Sequence, residues 1–297
     1  MNIGILTSNH SSTLQLKRFN EEILEFGHNP VHVPLNQTYI DLENNAIEVG
    51  VKKRNTLQAI NLDAAIVRIG SSALAADSLL FALENKGVKM TASSEGIRIS
   101  RDKLLSGILL EAIGVPTPKT IAAVSPKNRK ILPLLVDNLQ KKNDVPIIVK
   151  TRLGSLGNGV TILESRRSAI SHLEATQKPS LVQKMIIPSN VDTRVFIVGG
   201  KIVASMQRRG GVKEFRANLS KKGVGHKYAL SDYQAEIALK TAENSMLGVV
   251  GVDIMTDMFT QSDYVIEYNS NPGLGIEKVT GVNIIRLIAK FAIDLLR

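Results

Sequence analysis

The chain of 297 residues contains no cysteine and no tryptophan. Without cysteine there can be no disulfide, no thiolate nucleophile and no Cys-ligated zinc. Aromatic residues make up only 4%, which leaves little for the base-stacking platforms of single-strand nucleic-acid binders. No zinc-finger spacing or aromatic RNA-binding signature is present. No apolar run is long enough to cross a bilayer, so no membrane partner is expected. The opening residues Met1-Asn2-Ile3-Gly4-Ile5-Leu6 lack a basic segment and a signal-length apolar core; they read as a first strand of a cytoplasmic protein.

What is there is a substantial core and an excess of positive charge. Hydrophobic residues reach 43%, and 37 basic residues against 27 acidic ones give a net charge of +10. Such a field favours anionic partners: nucleic acid, acidic peptides or phosphorylated small molecules. Between Lys201 and Lys222 the cations Lys201, Arg208, Arg209, Lys213, Arg216, Lys221 and Lys222 face a single acid, Glu214. That strip suits an anionic ligand held at one place, and equally a solvated strand face.

The pattern divides into three parts. Residues 1–95 alternate strands (3–6, 31–33, 64–67) with helices (14–26, 72–85), which predicts a small parallel α/β domain. Residues 96–185 open on a helix over 100–113, stopped by Gly114, Pro116 and Pro118. A strand (120–124), a helix (126–140), a strand (147–150), a glycine-rich loop, a strand (160–163), a helix (167–175) and a strand (180–184) complete an α+β lobe. Residues 186–297 carry strands at 193–198 and 201–208, a helix over 231–246, strands at 249–255 and 264–268, and a terminal helix from Val282.

Three constellations carry chemistry. Ile148-Val149-Lys150 ends an apolar strand, and the loop Gly154-Ser155-Leu156-Gly157-Asn158-Gly159 follows. Glycines let backbone N–H groups approach phosphate oxygens, and the lysine adds a point charge. No Gly-Lys-Ser/Thr closes it, so it is no P-loop. A strand follows where a dinucleotide fingerprint needs a helix. A plain hairpin turn remains the alternative. Second, Glu267 and Asn269 lie two apart on a strand and so share a face. With Asp253 on a neighbouring strand they would form an all-oxygen set suited to Mg²⁺. Pairing of these acids with nearby lysines is the alternative. Third, Gln207-Arg208-Arg209 and Glu214-Phe215-Arg216-Ala217-Asn218 supply guanidinium groups that grip carboxylates and phosphates, or else a solvated strand edge. Arg208 and Arg209, being adjacent, face opposite ways on a regular strand. Five scattered histidines suggest no nucleophile–base arrangement.

Taken with Arg68-Ile69-Gly70, Arg101-Asp102-Lys103, Asp192-Thr193-Arg194 and the tails Glu267-Tyr268-Asn269-Ser270-Asn271-Pro272-Gly273 and Gly275-Ile276-Glu277-Lys278-Val279-Thr280-Gly281, these motifs resemble the RimK family of ATP-grasp glutamate ligases over essentially the whole chain. The resemblance implies an ATP-grasp fold: an N-terminal α/β domain and two α+β lobes enclosing ATP. It implies that Lys103 and Lys150 contact phosphates. Gln183 and Lys184 would line the adenine site, where Gln-Glu is usual, and Asp192 would hold the ribose. Arg216, Ala217 and Asn218 would line the nucleotide cleft, with Ala217 standing where a serine is usual. Gly154, Ser155, Gly157 and Gly159 would form a closing flap. Asp253, Glu267 and Asn269 would bind two Mg²⁺ or Mn²⁺ ions, and Arg208 and Arg209 would meet the acyl phosphate or the acidic substrate. The implied reaction joins L-glutamate to the C-terminal carboxylate of an acidic acceptor, such as a small-subunit ribosomal protein tail, in a homo-oligomeric enzyme (dimer or tetramer). An amino-group carrier protein or a glutamate-bearing coenzyme are the rival acceptors. A non-catalytic nucleotide or RNA binder on the same scaffold is the rival of another class.

Overall fold

The computed structural model describes residues 1–8, 13–69, 73–124, 129–139, 146–154, 159–176, 178–187, 190–210 and 224–297. The expected flap residues Ser155 and Gly157, and Arg216, Ala217 and Asn218, lie outside the described residues.

The first part is built on β1 (Asn2–Thr7), α1 (Thr13–Glu25) and β2 (Asn29–Pro34). A three-stranded antiparallel sheet follows: β3 (Thr38–Glu43), β4 (Ala46–Lys53) and β5 (Thr56–Ala59). Then come β6 (Ala64–Arg68), α2 (Ala73–Asn85) and β7 (Lys89–Met90). The parallel sheet has the order β2-β1-β6-β7. Alternate residues of its central strands serve opposite faces, as the pleat requires. Ile3, Ile5, Ala64 and Ile66 join Phe19 and Ile23 of α1; Leu6, Ala65 and Val67 join Leu79, Leu80 and Leu83 of α2. The chain therefore winds away from β1 on one side and from β6 on the other, and the two strands meet at a topological switch point.

The helix expected over 100–113 is two helices, α3 (Ser94–Arg101) and α4 (Lys103–Ala112). Asp102 breaks them. Its backbone is extended (φ −97°, ψ 108°), and its carboxylate accepts the Leu104 and Leu105 N–H groups as the N-cap of α4. Arg152 pairs with the same carboxylate, and the Lys103 N–H donates to the Arg152 carbonyl at 3.0 Å. The start of α4 is thus pinned to the chain beyond the next sheet's central strand.

That sheet contains β8 (Thr120–Ala122), then, after α5 (Leu132–Leu139), β9 (Ile147–Thr151), β10 (Val160–Leu163), and, after α6 (Arg166–Ala175), β11 (Ser180–Lys184). Its order is β10-β9-β11-β8, all antiparallel. Of the helix expected over 126–140, the described part is a short 3-10 turn, Arg129–Ile131, followed by α5. The last sheet has the order β14-β13-β12-β15-β16, from β12 (Val191–Val198), β13 (Lys201–Arg209), β14 (Val224–Lys227), β15 (Val249–Thr256) and β16 (Asp263–Asn269). Helix α7 (Asp232–Asn244), capped by a Ser231–Gln234 box, covers one face; α8 (Ile276–Thr280) and α9 (Ile284–Asp294) lie on the other side.

The cores do not follow the order of the chain. Leu6, Val67 and Leu80 from the first part share one cluster with Val195, Val252, Ile237 and Tyr268 from the last. Ile3, Ile5 and Phe19 share another with Phe196, Val249, Ile285 and Ile288. The middle lobe keeps a third cluster of its own, including Val136, Val149, Leu173 and Val182. Among the described residues no helix is long and apolar enough to cross a membrane.

Candidate active site: a cleft of lysines and carboxylates between two lobes

The cleft lies where α4, the middle sheet and β16 meet. It encloses about 350 Å³ and is lined by Lys103, Lys150, Gln183, Thr120, Lys119 and Glu267, among others. Strand register explains how the middle sheet contributes. Lys150 lies opposite Leu181, and Gln183 opposite Ile148 and Thr120. Residues two apart share a face, so Lys150, Leu181 and Gln183 turn together into the cleft. Val149 and Val182 turn the other way, into the lobe's own core. Gln183 is buried, and its amide donates to the Thr120 hydroxyl at 2.8 Å. Lys184 is exposed and does not line the cleft; its backbone N–H donates to the Lys119 carbonyl at 2.9 Å.

The two lysines are short of solvation. Burial pushes the Lys150 ammonium down to about 8, Lys103 adds repulsion, and Glu267 partly offsets both. Burial also lowers Lys103, with Glu267 and Asp102 opposing. Its ammonium donates to the Gly154 carbonyl at 2.9 Å, which ties the α4 N-terminus to the first residue of the glycine loop. At the loop's far end Gly159 has φ +73°, and a Cβ there would come within 2.3 Å of the Thr151 hydroxyl. Only glycine fits both conditions.

Facing the lysines is the last sheet. Asp253 on β15 is paired in register with Glu267 on β16, so the two carboxylates sit side by side on one face. Asn269 follows on that face, its amide donating to Glu267 Oε1 at 3.3 Å. Asp253 is committed to guanidinium groups: Arg194 Nε donates to Oδ1 at 2.7 Å, Arg194 Nη2 to Oδ2 at 2.5 Å, and Arg208 Nη2 approaches Oδ2 at 3.0 Å. Burial works against the charge on Asp253, but Arg194 and Arg208 override it and hold the carboxyl down at about 2. Arg208 also grips Asp192 with two hydrogen bonds of 2.6 and 2.7 Å. Burial outweighs that pairing at Asp192, and with the Asp253 charge nearby the carboxyl is pushed up to about 6. For Arg208 the outcome is opposite: despite burial, the two carboxylates raise it above its ordinary value.

The structure therefore brings Lys103, Lys150, Gln183 and Glu267 into one cleft, and links Asp192, Arg208 and Asp253 in one buried network at the same sheet face. Arg208 turns inward and Arg209 is exposed. Asp192 is engaged by Arg208 and is 7% exposed. Arg194, which joins this network, was not singled out by the sequence reading. Its signal was available, since it stands two residues from Asp192 and hence on the same face. The cleft lining of Lys119 and Thr120 had no comparable signal.

Among the described residues no three His, Cys, Asp or Glu side chains cluster as a metal site. The candidate donor set is two carboxylates and an amide: Asp253, Glu267 and Asn269. Hard oxygen donors on one face, beside two poorly solvated lysines, are of the type that fits a Mg²⁺ ion. Arg194 and Arg208 supply the countercharge to Asp253 here.

Residues 1–97 match the RimK PreATP-grasp domain family, and residues 100–292 match the RimK-like ATP-grasp domain family. A probable alpha-L-glutamate ligase of Vibrio cholerae serotype O1 is 32% identical over 297 residues, covering 98% of this chain and 95% of the relative. Two solved structures share the fold. D-alanyl-alanine synthetase A from Vibrio cholerae O1 biovar eltor superposes with a TM-score of 0.73 at 15% identity, covering 100% of this chain and 98% of that one. The ATP-grasp ligase PsnB, complexed with minimal precursor, Mg and ADP, superposes with a TM-score of 0.70 at 17% identity, covering 99% and 98%.

Proposed function

Since the chain belongs to the RimK-like ATP-grasp family, we propose that this ATP-grasp ligase joins the amine of L-glutamate to the terminal carboxylate of an acidic acceptor, with ATP as the activating co-substrate. A carboxylate does not condense with an amine unaided, because its leaving group would be hydroxide or oxide. In the first step an oxygen of the acceptor carboxylate attacks the γ-phosphorus of ATP; the P–O bond to ADP breaks and an acyl phosphate forms. In the second the free amine attacks the acyl carbon, the C–O bond to phosphate breaks, and an amide remains after loss of one proton from nitrogen. The chain needs no covalent nucleophile for either step. Its part is positioning and charge neutralisation.

Lys103 and Lys150 take the phosphates, and their poor solvation strengthens the attraction to an incoming anion. Gln183 and the backbone beyond it face the base. Asp253, Glu267 and Asn269 hold magnesium, which when bound offsets charge on the phosphate oxygens; two ions, and Mn²⁺ in place of Mg²⁺, are the fuller form of this assignment. The Gly154 end of the glycine loop, tethered by Lys103, covers the phosphates and keeps water from the acyl phosphate. The net charge of +10 favours an acidic acceptor, and a small-subunit ribosomal protein tail is the first candidate.

The observation that carries this reading is the convergence of Lys103, Lys150 and Glu267 on one cleft, with Asp253 paired to Glu267 across the strands. The test combines ADP release with mass spectrometry of candidate acceptors after incubation with ATP, Mg²⁺ and L-glutamate. Added glutamate masses, abolished in Glu267→Gln, are the expected outcome. Nucleotide binding with no ADP release for any acceptor would identify a binder on a ligase scaffold.

A further inference from the structure

Arg68 ends β6 at the switch point, where β1 and β6 lie side by side and the chain departs in opposite directions. Ligands of open α/β sheets bind outside the carboxyl ends of the strands at such points. Arg68 is 8% exposed, an unusual degree of burial for an arginine. Its guanidinium is half used. Nη2 donates to the Pro272 carbonyl at 2.9 Å, across 204 residues of sequence. Among the described residues Nη1 is buried and has no hydrogen-bond partner. Burial pushes the group down to about 10, with Glu277 opposing. A buried donor left unmade costs about 1–3 kcal/mol, more when charged, so such a group is rare without a reason.

A second orphan lies on the residue preceding Pro272: among the described residues Asn271 Oδ1 is buried and unpartnered too. One orphan is a charged donor, the other an acceptor. Their place is the edge of the proposed reaction centre. Pro272 packs on Gly251, where a Cβ would lie 2.7 Å from the proline Cβ and 3.8 Å from Arg194 Nε, the atom that holds Asp253. Asn271 itself follows Asn269 by two residues.

We infer that Arg68 and Asn271 seat the amino-acid substrate: the free guanidinium nitrogen takes its carboxylate, and the Asn271 amide oxygen accepts a hydrogen bond from its amine. A free α-amino acid offers both complements on one carbon, a carboxylate and an amine with more than one N–H; a peptide acceptor's terminal residue offers its carboxylate with a single amide N–H. Both orphan atoms are shielded from solvent, so entry requires a local opening around them. The inference rests on the ligase reading and deepens it.

The experiment is calorimetric titration of L-glutamate, then of the other standard amino acids, into the full chain with Mg²⁺ and a non-hydrolysable ATP analogue, for the unmodified chain, Arg68→Gln, Arg68→Lys and Asn271→Ala. The unmodified chain binds L-glutamate. Arg68→Gln weakens it roughly 10- to 100-fold, the loss of a charge-assisted hydrogen bond, while affinity for the ATP analogue stays within twofold. Arg68→Lys falls between, and Asn271→Ala weakens glutamate more than glutarate, which lacks the amine. Unchanged amino-acid affinity in Arg68→Gln overturns the inference. So does a parallel loss of nucleotide affinity, which would mark Arg68 as a strut for Pro272, and so does an unmodified chain that binds nucleotide but no amino acid. Should Arg68→Gln not fold, Arg68→Lys and Asn271→Ala decide by the same criteria. Failure of the unmodified chain to bind nucleotide at all overturns the ligase reading, and the seat with it.

Discussion

Replacing Lys150 with methionine should make the protein more stable and inactive at once. Methionine keeps the length of the chain and removes the charge. The Lys150 ammonium has its ordinary value of 10.5 lowered to about 8 by burial, chiefly because desolvation outweighs Glu267 and because Lys103 repels it. A depressed lysine is disfavoured in the folded state while it is charged. Between about 8 and 10.5 the unfolded chain binds more protons than the folded one, so stability rises with pH across that window. Below it the penalty is complete. A shift of about 2.5 units corresponds to at most about 3 kcal/mol at pH 7. For a chain of this length that is on the order of 5 °C in melting temperature. Differential scanning fluorimetry without nucleotide should therefore place Lys150→Met above the unmodified protein at pH 7, with the gap closing toward pH 10.5. MgATP at about 1,000 times its Kd should reverse the order, since it then adds about 4.1 kcal/mol to the protein that binds it. A variant less stable than the unmodified protein at pH 7, or a gap that does not change with pH, would refute the account of Lys150 as a poorly solvated cation waiting for phosphate.

Two other substitutions separate structure from chemistry. Asp253→Asn removes the carboxylate shared by Arg194 and Arg208, so it should cost about 3–5 kcal/mol by chemical denaturation as well as turnover, the usual result of breaking a buried ion pair; an inactive variant of unchanged stability would mean that the network is not formed in solution. Gly159→Ala should raise the KM for ATP with little change in that for glutamate, because φ +73° and the Thr151 side chain both resist a Cβ; equal kinetics would show that this end of the loop does not shape the nucleotide site.

Much of the site was legible because strands impose a simple rule. Glu267 and Asn269 share a face by their spacing, and Asp253 stands in an apolar run that reads as a neighbouring strand. The opposite orientations of Arg208 and Arg209 follow from the same rule, as does Arg194, had it been applied from Asp192. Pairings made across the fold were not legible. Nothing local announces that Arg208 joins Asp192 to Asp253, or that Arg194 takes both oxygens of the latter. A substitution there therefore disturbs a buried ion-pair network as well as the proposed metal site. The break at Asp102 was a missed local signal: an aspartate followed by Lys-Leu-Leu is a cap, and apolar periodicity on both sides hid it. The sheet of β3, β4 and β5 was also overlooked, although Ile40 and Leu42, and Val49 and Val51, alternate around Asn44-Asn45. Those two asparagines adopt φ 49° and 62°, the left-handed pair that closes a tight hairpin.

The sharing of cores between the chain's beginning and its end has a practical consequence. Sequence comparison splits the protein neatly near residue 98, yet a fragment starting there would leave Phe196, Ile285 and Ile288 without Ile3, Ile5 and Phe19, and Glu277 without its ion pair to Arg18. Expressed separately, neither piece should be soluble; expressed together, they should find each other and restore the whole. The middle lobe, which packs on its own residues, is the portion that a graft from a relative could replace.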